Sequence, residues 1–350
     1  MNSTEIKSLN QQTLDRIVAK ATAHKNIHGA VFHIQSSDKA WRLFSASGNL
    51  SPDSQYYIAS INKLIISFIT LRLFQEKVIN LNDKISAYLP YDLLKGLLVY
   101  NGKDYSDEIT INHLLSHTSG LPCYLIDKRA DGKKNMELIL AGNQQSWPME
   151  KVVDEVHRMN PKFKPGAKGK ANYSETNFRF LGKILEVVTN KKLSDLLSAV
   201  FVELEMNNTF VLPSESAGNC APVYYKQNKI DIKDYWKSTH HDISSTVTDQ
   251  MKFIRTFFDG NYFSSEFINK LKKWNNIFFP FKYGIGIQKF YIPRIFSPFR
   301  AVPEIIGHSG SVGSVAFYLP EKKVYITGTV NQSSNPGIAF RTMMNIVNKL

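Results

Sequence analysis

Cysteine is nearly absent. Cys123 and Cys220 are the only two in 350 residues, which excludes a disulfide framework and a cysteine-rich metal site. Long apolar runs are also missing: no stretch approaches the roughly 20 continuous apolar residues of a membrane helix. The N-terminus, MNSTEIKSLNQQTLDRIVAKATAHK, lacks the apolar segment of a secretory signal. The chain as written therefore reads as cytoplasmic, and as periplasmic or secreted only if a signal has been removed. There is no internal repeat and no low-complexity segment. Gly-x-Ser-x-Gly does not occur, which argues against an α/β-hydrolase. The phosphate-binding loop and the dinucleotide fingerprint are missing too, so nucleotide chemistry has no basis here.

Acidic residues are outnumbered, 30 Asp and Glu against 43 Lys and Arg, for a net charge of +13. Such a surplus can serve a nucleic acid or an anionic surface. Here the basic residues are scattered. The short runs KFKPGAKGK (162–170) and KLKK (270–273) lack the interleaved aromatics of a base-stacking platform. A solvated, Lys-rich surface is the simpler reading, and no nucleic-acid partner is expected.

The hydrophobic pattern divides the chain. Apolar positions Ile6, Leu9, Leu14, Ile17 and Val18 predict a helix within 4–24. GAVFHIQ and AWRLFSASG predict two strands joined by the turn SSDK. Residues 60–77 predict a strongly apolar helix opened by Ser60, and LNDKISAYLP a turn and short helix stopped by Pro90. From about 85 to 235 the pattern is mostly helical, as in TINHLLSH, MEKVVDEVHRM, TNFRFLGKILEVVTN and KLSDLLSAVFVEL. A further helix is expected over 245–260, capped by Thr248 or a neighbour and stopped by Gly260. YGIGIQKF, SVAFYLP and KVYITGTV predict successive antiparallel strands, and NPGIAFRTMMNIVNKL a closing helix. The order predicts an α+β fold: one antiparallel sheet flanked by the terminal helices, with a helical lobe inserted. One domain over 1–350 is expected, its α/β part at about 1–85 and 236–350 and the lobe at about 86–235.

The candidate chemistry starts at YIASINKLIISF, where Ser60 precedes Lys63 by three residues. On a helix, i and i+3 share a face. A serine hydroxyl becomes a nucleophile when a base takes its proton, and a lysine can do so when burial or a nearby cation lowers its pKa. Ile58, Leu64, Ile65 and Ile66 make burial plausible, and the helix N-terminus offers N–H donors for an oxyanion. The spacing alone is cheap, because Ser36 and Lys39 repeat it in a turn where it reads as structural.

Three further stretches follow in order: LLSHTSGLP (114–122), PKFKPGAKGKANYSETNFRFLG with Tyr173, and GHSGSVGSVAFYLPEKKVYITGTVNQ with His308 and Gly310. Together with Ser60 and Lys63 they resemble the serine β-lactamase and penicillin-binding-protein superfamily, nearest its class C β-lactamase, D-aminopeptidase and esterase branch. The resemblance runs from about residue 28 to the C-terminus and implies a β-lactamase/DD-peptidase-like fold. It implies Ser60 as the acylated nucleophile and Lys63 as base or relay. Tyr173 is implied as a phenolate, or as a relay with Lys63. His308 and Gly310 would form the third element on a cleft-lining strand, with a backbone N–H near Ser311 as an oxyanion donor.

Two positions depart from the family pattern. Glu175 stands where the Tyr-x-Asn element has asparagine, and a carboxylate cannot donate to a substrate carbonyl as an amide can. An ion pair with Lys63 is its alternative use, keeping the lysine protonated and favouring Tyr173 as the base. His308 stands where many members have lysine, which weakens the hold on a substrate carboxylate. Esters or small amides and peptides are the expected substrates, with no cofactor and no metal. An acyltransferase using the same residues and a non-catalytic binding member of the fold remain alternatives, and the oligomeric state is not legible.

Each residue also has a structural reading. Tyr173 can be a buried hydroxyl, His308 a turn residue, and His113 with His117 a helix-face pair lacking a third metal ligand. His240 and His241 read as loop surface. The loops 123–135 and 290–304 are the candidates for substrate contact, or ordinary surface.

Overall fold

The structure is a computed structural model that describes residues 9–141, 146–214, 220–296 and 301–350. Ile6 of the first expected helix, and 297–300 of the loop 290–304, lie outside the described residues.

Eight strands form one sheet: β1 (Gly29–Ser36), β2 (Arg42–Gly48), β3 (Asn275–Phe278), β4 (Phe281–Tyr283), β5 (Gln288–Phe290), β6 (Ile305–Gly310), β7 (Ser314–Leu319) and β8 (Val324–Thr329). Their spatial order is β3-β4-β5-β6-β7-β8-β1-β2, and every neighbouring pair is antiparallel. The first strand thus pairs with the last inside the sheet, where Val31 stands opposite Thr329. Helices α1 (Gln11–Thr22), α2 (Asn62–Gln75), α3 (Ile111–Leu115), α4 (Met149–His157), α5 (Glu175–Thr189), α6 (Leu193–Glu203), α7 (Val247–Phe258) and α8 (Gly337–Val347) carry the positions that the periodicity marks.

Strand alternation sorts the core into two layers. Ala30, Phe32, Ile34, Val315 and Phe317 pack under α1 and α8 with Leu14, Val18, Ile338 and Met343. Val31, Ala316 and Tyr325 face the other way and join the larger core around α2 and α7. Helix α2 is buried from Asn62 to Leu71 on every face, the mark of a helix enclosed by others. Among the described residues no helix is long and apolar enough to cross a membrane.

The differences from the sequence reading are local. YGIGIQKF is not one strand: Gly284 N–H donates to Ile287 O at 2.8 Å and Gly286 has φ 73°, so the chain reverses between β4 and β5. His308 lies on a strand as expected, but within β6 rather than at its start. Strand β3 and the three-stranded sheet of Tyr56–Tyr57, Ile243–Ser245 and Phe210–Val211 are too short to show alternation. Pro90 starts a helical turn, Tyr91–Leu94, after ending the preceding one. The cap of α7 is Thr246, whose side chain accepts from Asp249 N. Ser36 and Lys39 occupy the β1–β2 turn, Ser36 Oγ bonding Asp38 at 2.6 Å and Lys39 at φ 63°, as the structural reading expects. Both cysteines are free.

Candidate active site

Ser60 sits on a single 3₁₀ turn, Ala59–Ile61, that runs directly into α2. The turn is anchored from both sides. Ile58 N–H donates to Ile243 O at 3.0 Å, and Ser314 Oγ on β7 donates to Ile58 O at 2.7 Å. Ala59 has φ 48°, a left-handed conformation uncommon for a residue with a Cβ. The anchors hold that conformation and aim Ser60 away from the core.

One turn into α2, Lys63 Nζ lies 3.2 Å from Ser60 Oγ. Lys63 is 1% exposed, so its amino group needs a partner inside the protein. That partner is Glu175 Oε2, in direct contact with Nζ. Glu175 opens α5, where the helix dipole favours a carboxylate. Burial alone would raise its pKa. Lys63 and His241 outweigh burial and hold the carboxyl well below the ordinary carboxylate range, so Glu175 is ionised at neutral pH.

The segment 114–122 serves α5 rather than the chemistry. His117 Nδ1 accepts from Ser174 N at 3.2 Å and faces Asn177 Nδ2 at 3.0 Å. Ser119 Oγ donates to Asn177 at 2.6 Å. Ser174 and Thr176 hydroxyls both donate to Pro122 O, at 2.9 and 2.7 Å. These bonds fix the start of α5 and with it Tyr173 and Glu175. His113 Nδ1 accepts from Thr110 N at 3.2 Å instead. Among the described residues no cluster of His, Cys, Asp and Glu could hold a metal ion.

Tyr173 packs its ring 4.6 Å from that of His117 and 5.6 Å from Lys63 Nζ. Burial, then the Glu175 charge, push its phenol well above the ordinary tyrosine range, against a hydrogen bond with Ser60 that pulls it down. The free site therefore holds a phenol, not a phenolate. His308 is fully buried behind Tyr173, with Nε2 3.0 Å from Tyr283 Oη. Burial, then Lys63, lower its pKa to about 3, so it is neutral at physiological pH.

Two cavities meet at Ser60. The smaller, about 60 Å³, is bounded by Tyr57, Asn62, Lys63, Tyr235 and Asp242. The larger, about 260 Å³, is walled by Ile126, Tyr173, Phe278, Phe281, Pro336 and Phe340. Ser60, Leu125, Met136, Glu175 and Ser311 border both. Of the sequence candidates, Ser60, Lys63, Tyr173, Glu175, Gly310 and Ser311 reach a cavity wall, and His308 does not. Leu125 and Ile126 come from the loop 123–135. No described residue of 290–304 lines either cavity.

Gly310 is where β6 presses on the Ser60 turn. A Cβ there would collide with the backbone carbonyl of Ile58 and with Ala59 Cβ. Neither can yield without moving Ser60. Gly310→Ala is expected to cost about 1–3 kcal/mol of stability and to slow any Ser60-dependent reaction, checked by thermal melts beside ester turnover.

Sequence reasoning missed His241. It reads as loop surface, and its neighbour His240 is exposed, but His241 is 2% exposed with Nε2 3.4 Å from Glu175 Oε1. Tyr57 and Asp242, bonded to each other in the smaller cavity wall, and Phe278, Phe281 and Phe340 were also not singled out. They come from four separate parts of the chain, and no local pattern marks them.

Comparison with known proteins gives the family and the fold. The family model described as Beta-lactamase matches residues 14–347. Protein flp of Staphylococcus aureus (strain N315) is 28% identical over 214 residues, covering 59% of this chain and 39% of that protein. Beta-lactamase-like protein 4 of Dictyostelium discoideum is 26% identical over 228 residues, covering 59% and 36%. The matched part thus spans about two fifths of the length of these curated relatives. Among solved structures, D-amino acid amidase from Ochrobactrum anthropi SV3 superposes with TM-score 0.77 at 20% identity, covering 96% of this chain and 100% of that one. EstCE1, a hydrolase with promiscuous acyltransferase activity, gives 0.76 at 17%, covering 96% and 98%. A D-stereospecific amidohydrolase from Streptomyces sp. gives 0.73 at 22%, covering 95% and 98%.

Proposed function

We propose that this chain, which belongs to the beta-lactamase family, is a serine acyl hydrolase acting on uncharged esters or small amides. The observation that carries this reading is the contact of Ser60 Oγ with the enclosed amine of Lys63, 3.2 Å away, where two cavities meet. Ser60 attacks the carbonyl, the oxyanion is met by backbone N–H groups near Ser60 and Ser311, and water later releases the acyl group. Tyr173, a phenol hydrogen-bonded to Ser60, relays a proton between Ser60, Lys63 and the leaving group. His308 acts from behind, through Tyr283 and the strand, and not as a carboxylate receptor.

The preference for uncharged substrates rests on the walls. Among the described residues lining the two cavities, Lys63 is the single Lys or Arg, and Glu175 already holds it. The larger cavity is walled mainly by apolar and aromatic side chains, which suits an apolar acyl or alcohol group. The amidase and hydrolase neighbours fit acyl chemistry of this kind. Transfer of the acyl group to an alcohol would use the same residues. Product analysis with added alcohol separates it from hydrolysis.

Intact-mass spectrometry tests the reading. Brief incubation with a p-nitrophenyl ester is expected to add one acyl mass, and incubation with benzylpenicillin under the same conditions much less. Rapid penicillin acylation would overturn the preference for uncharged substrates. No adduct with a series of esters and amides would move the reading to a binding member of the fold.

A further inference from the structure

The reading above leaves a proton unplaced. Tyr173 keeps its own, and Lys63 is in contact with an ionised carboxylate that favours the ammonium form. An ammonium cannot take the Ser60 proton. The buried group beside Glu175 resolves this.

His241 Nδ1 lies 2.7 Å from the carbonyl oxygen of Thr239. A carbonyl only accepts, so Nδ1 carries a hydrogen. Nε2 lies 3.4 Å from Glu175 Oε1, while the other oxygen of that carboxylate contacts Lys63. If the ring were neutral, a lone pair on Nε2 would face one on Oε1. A second ring hydrogen turns that repulsion into an ion pair. Lys63 then has an alternative too: as an amine it still donates to Glu175, and its lone pair is open to the Ser60 hydroxyl.

We propose that His241 is the resident cation of this cluster, balancing Glu175 so that Lys63 meets Ser60 as a free amine. His241 touches no reacting atom and is a positioning residue that acts through Glu175. The inference rests on the acyl-transfer reading of Ser60. In the attack, the Ser60 O–H bond breaks as Oγ–C forms, its proton goes to Lys63, and the carbonyl π pair moves onto oxygen. On collapse that pair re-forms the carbonyl, the bond to the leaving group breaks, and the Lys63 proton passes through Tyr173 to the departing oxygen or nitrogen. Cluster charge is the same before attack and after acylation.

The surrounding charges permit this assignment. On the same turn, the Asp242 carboxylate is taken up by the Tyr57 and Thr239 hydroxyls. From α2, the neutral Asn62 amide donates to the His241 carbonyl at 3.0 Å. From α5, Arg179, Lys183 and Glu186 share with His240 and His241 a separate cavity of about 210 Å³. Lys183 pairs with Glu186 at 3.1 Å, and Arg179 donates to Trp147 O at 2.8 Å. Arg179 opposes a charge on His241, but Glu175 stands at ion-pair distance and outweighs it.

Long-range ¹H–¹⁵N spectra of protein labelled with [¹⁵N]histidine read the charge directly. The His241 signals are identified by their loss in His241→Gln, with His241→Asn as a second variant. Both ring nitrogens are expected at imidazolium shifts near neutral pH in the wild type, and at neutral-imidazole shifts in Glu175→Gln. A neutral His241 in the wild type overturns the proposal. The link to Lys63 is read from the pH profile of Ser60 acylation by a p-nitrophenyl ester. In His241→Gln the acid limb moves to higher pH by about one unit or more, and the rate recovers toward wild type at alkaline pH. A rate lowered by the same factor at every pH would mark a merely structural residue and overturn the link. If the wild type forms no Ser60 adduct, the acyl-transfer reading is what fails, and the nitrogen shifts still decide the charge on His241.

Discussion

Ser60→Ala is expected to abolish the acyl adduct and to lower ester turnover by about three orders of magnitude or more. The variant removes one oxygen from a half-buried residue on a 3₁₀ turn. The anchors of that turn, Ile58 with Ile243 and with Ser314, do not involve the Ser60 side chain. Stability should therefore stay within about 0.5 kcal/mol of wild type. Turnover, intact mass and a thermal melt on the same preparations check this. Turnover that survives with an unchanged melt would place the nucleophile elsewhere.

Lys63→Met should be costly twice over. Loss of the base slows acylation by about 10²- to 10⁴-fold. Loss of the Lys63 Nζ donor leaves the buried Glu175 carboxylate with His241 as its remaining partner there, which costs about 1–3 kcal/mol. The sign with pH follows from the carboxyl. In the wild type its pKa is depressed, so its stabilising contribution is present above the ordinary carboxylate pKa and is lost as pH falls through the depressed value. In the variant, burial is no longer outweighed by Lys63, and the carboxyl takes up a proton more readily. The gap in stability between the two proteins is widest near neutral pH and narrows as pH falls through the carboxylate range. Adding Glu175→Gln to Lys63→Met should restore part of the stability and none of the activity. Denaturant melts across pH complete the cycle, and a gap that stays constant with pH would show that the pair contributes little.

The parts of the fold with long periodic signals were legible. The eight helices labelled above and the β1–β2 and β7–β8 pairs appear where spacing puts them. What failed was short or turned: β3 has four residues with no alternation, and two glycines bend YGIGIQKF into a hairpin. The candidate site was legible where it is local. Ser60 and Lys63 share one turn of α2, and Glu175 finds Lys63 as its chemistry allows. It was illegible where it depends on assembly. His240 and His241 look alike in the sequence, yet one faces solvent and the other an ionised carboxylate. Only the path of the chain after Thr239 decides which. The aromatic wall likewise draws Phe278 and Phe281 from the β3–β4 hairpin and Phe340 from α8, which come together only in the folded protein.

The meeting of β1 with β8 has a consequence for how the molecule is made. The strand that pairs with the first hairpin leaves the ribosome long after it, and the residue that pins the Ser60 turn, Ser314, comes only shortly before that strand. Until those late strands emerge, β1 and β2 are a lone hairpin with an apolar face, and α2 lacks one of its walls. Contacts so distant in sequence slow folding and prolong exposure of apolar surface. A nascent chain carries Ser60 and Lys63 long before it carries their geometry, so the nucleophile has no working frame until β7 and β8 have been made.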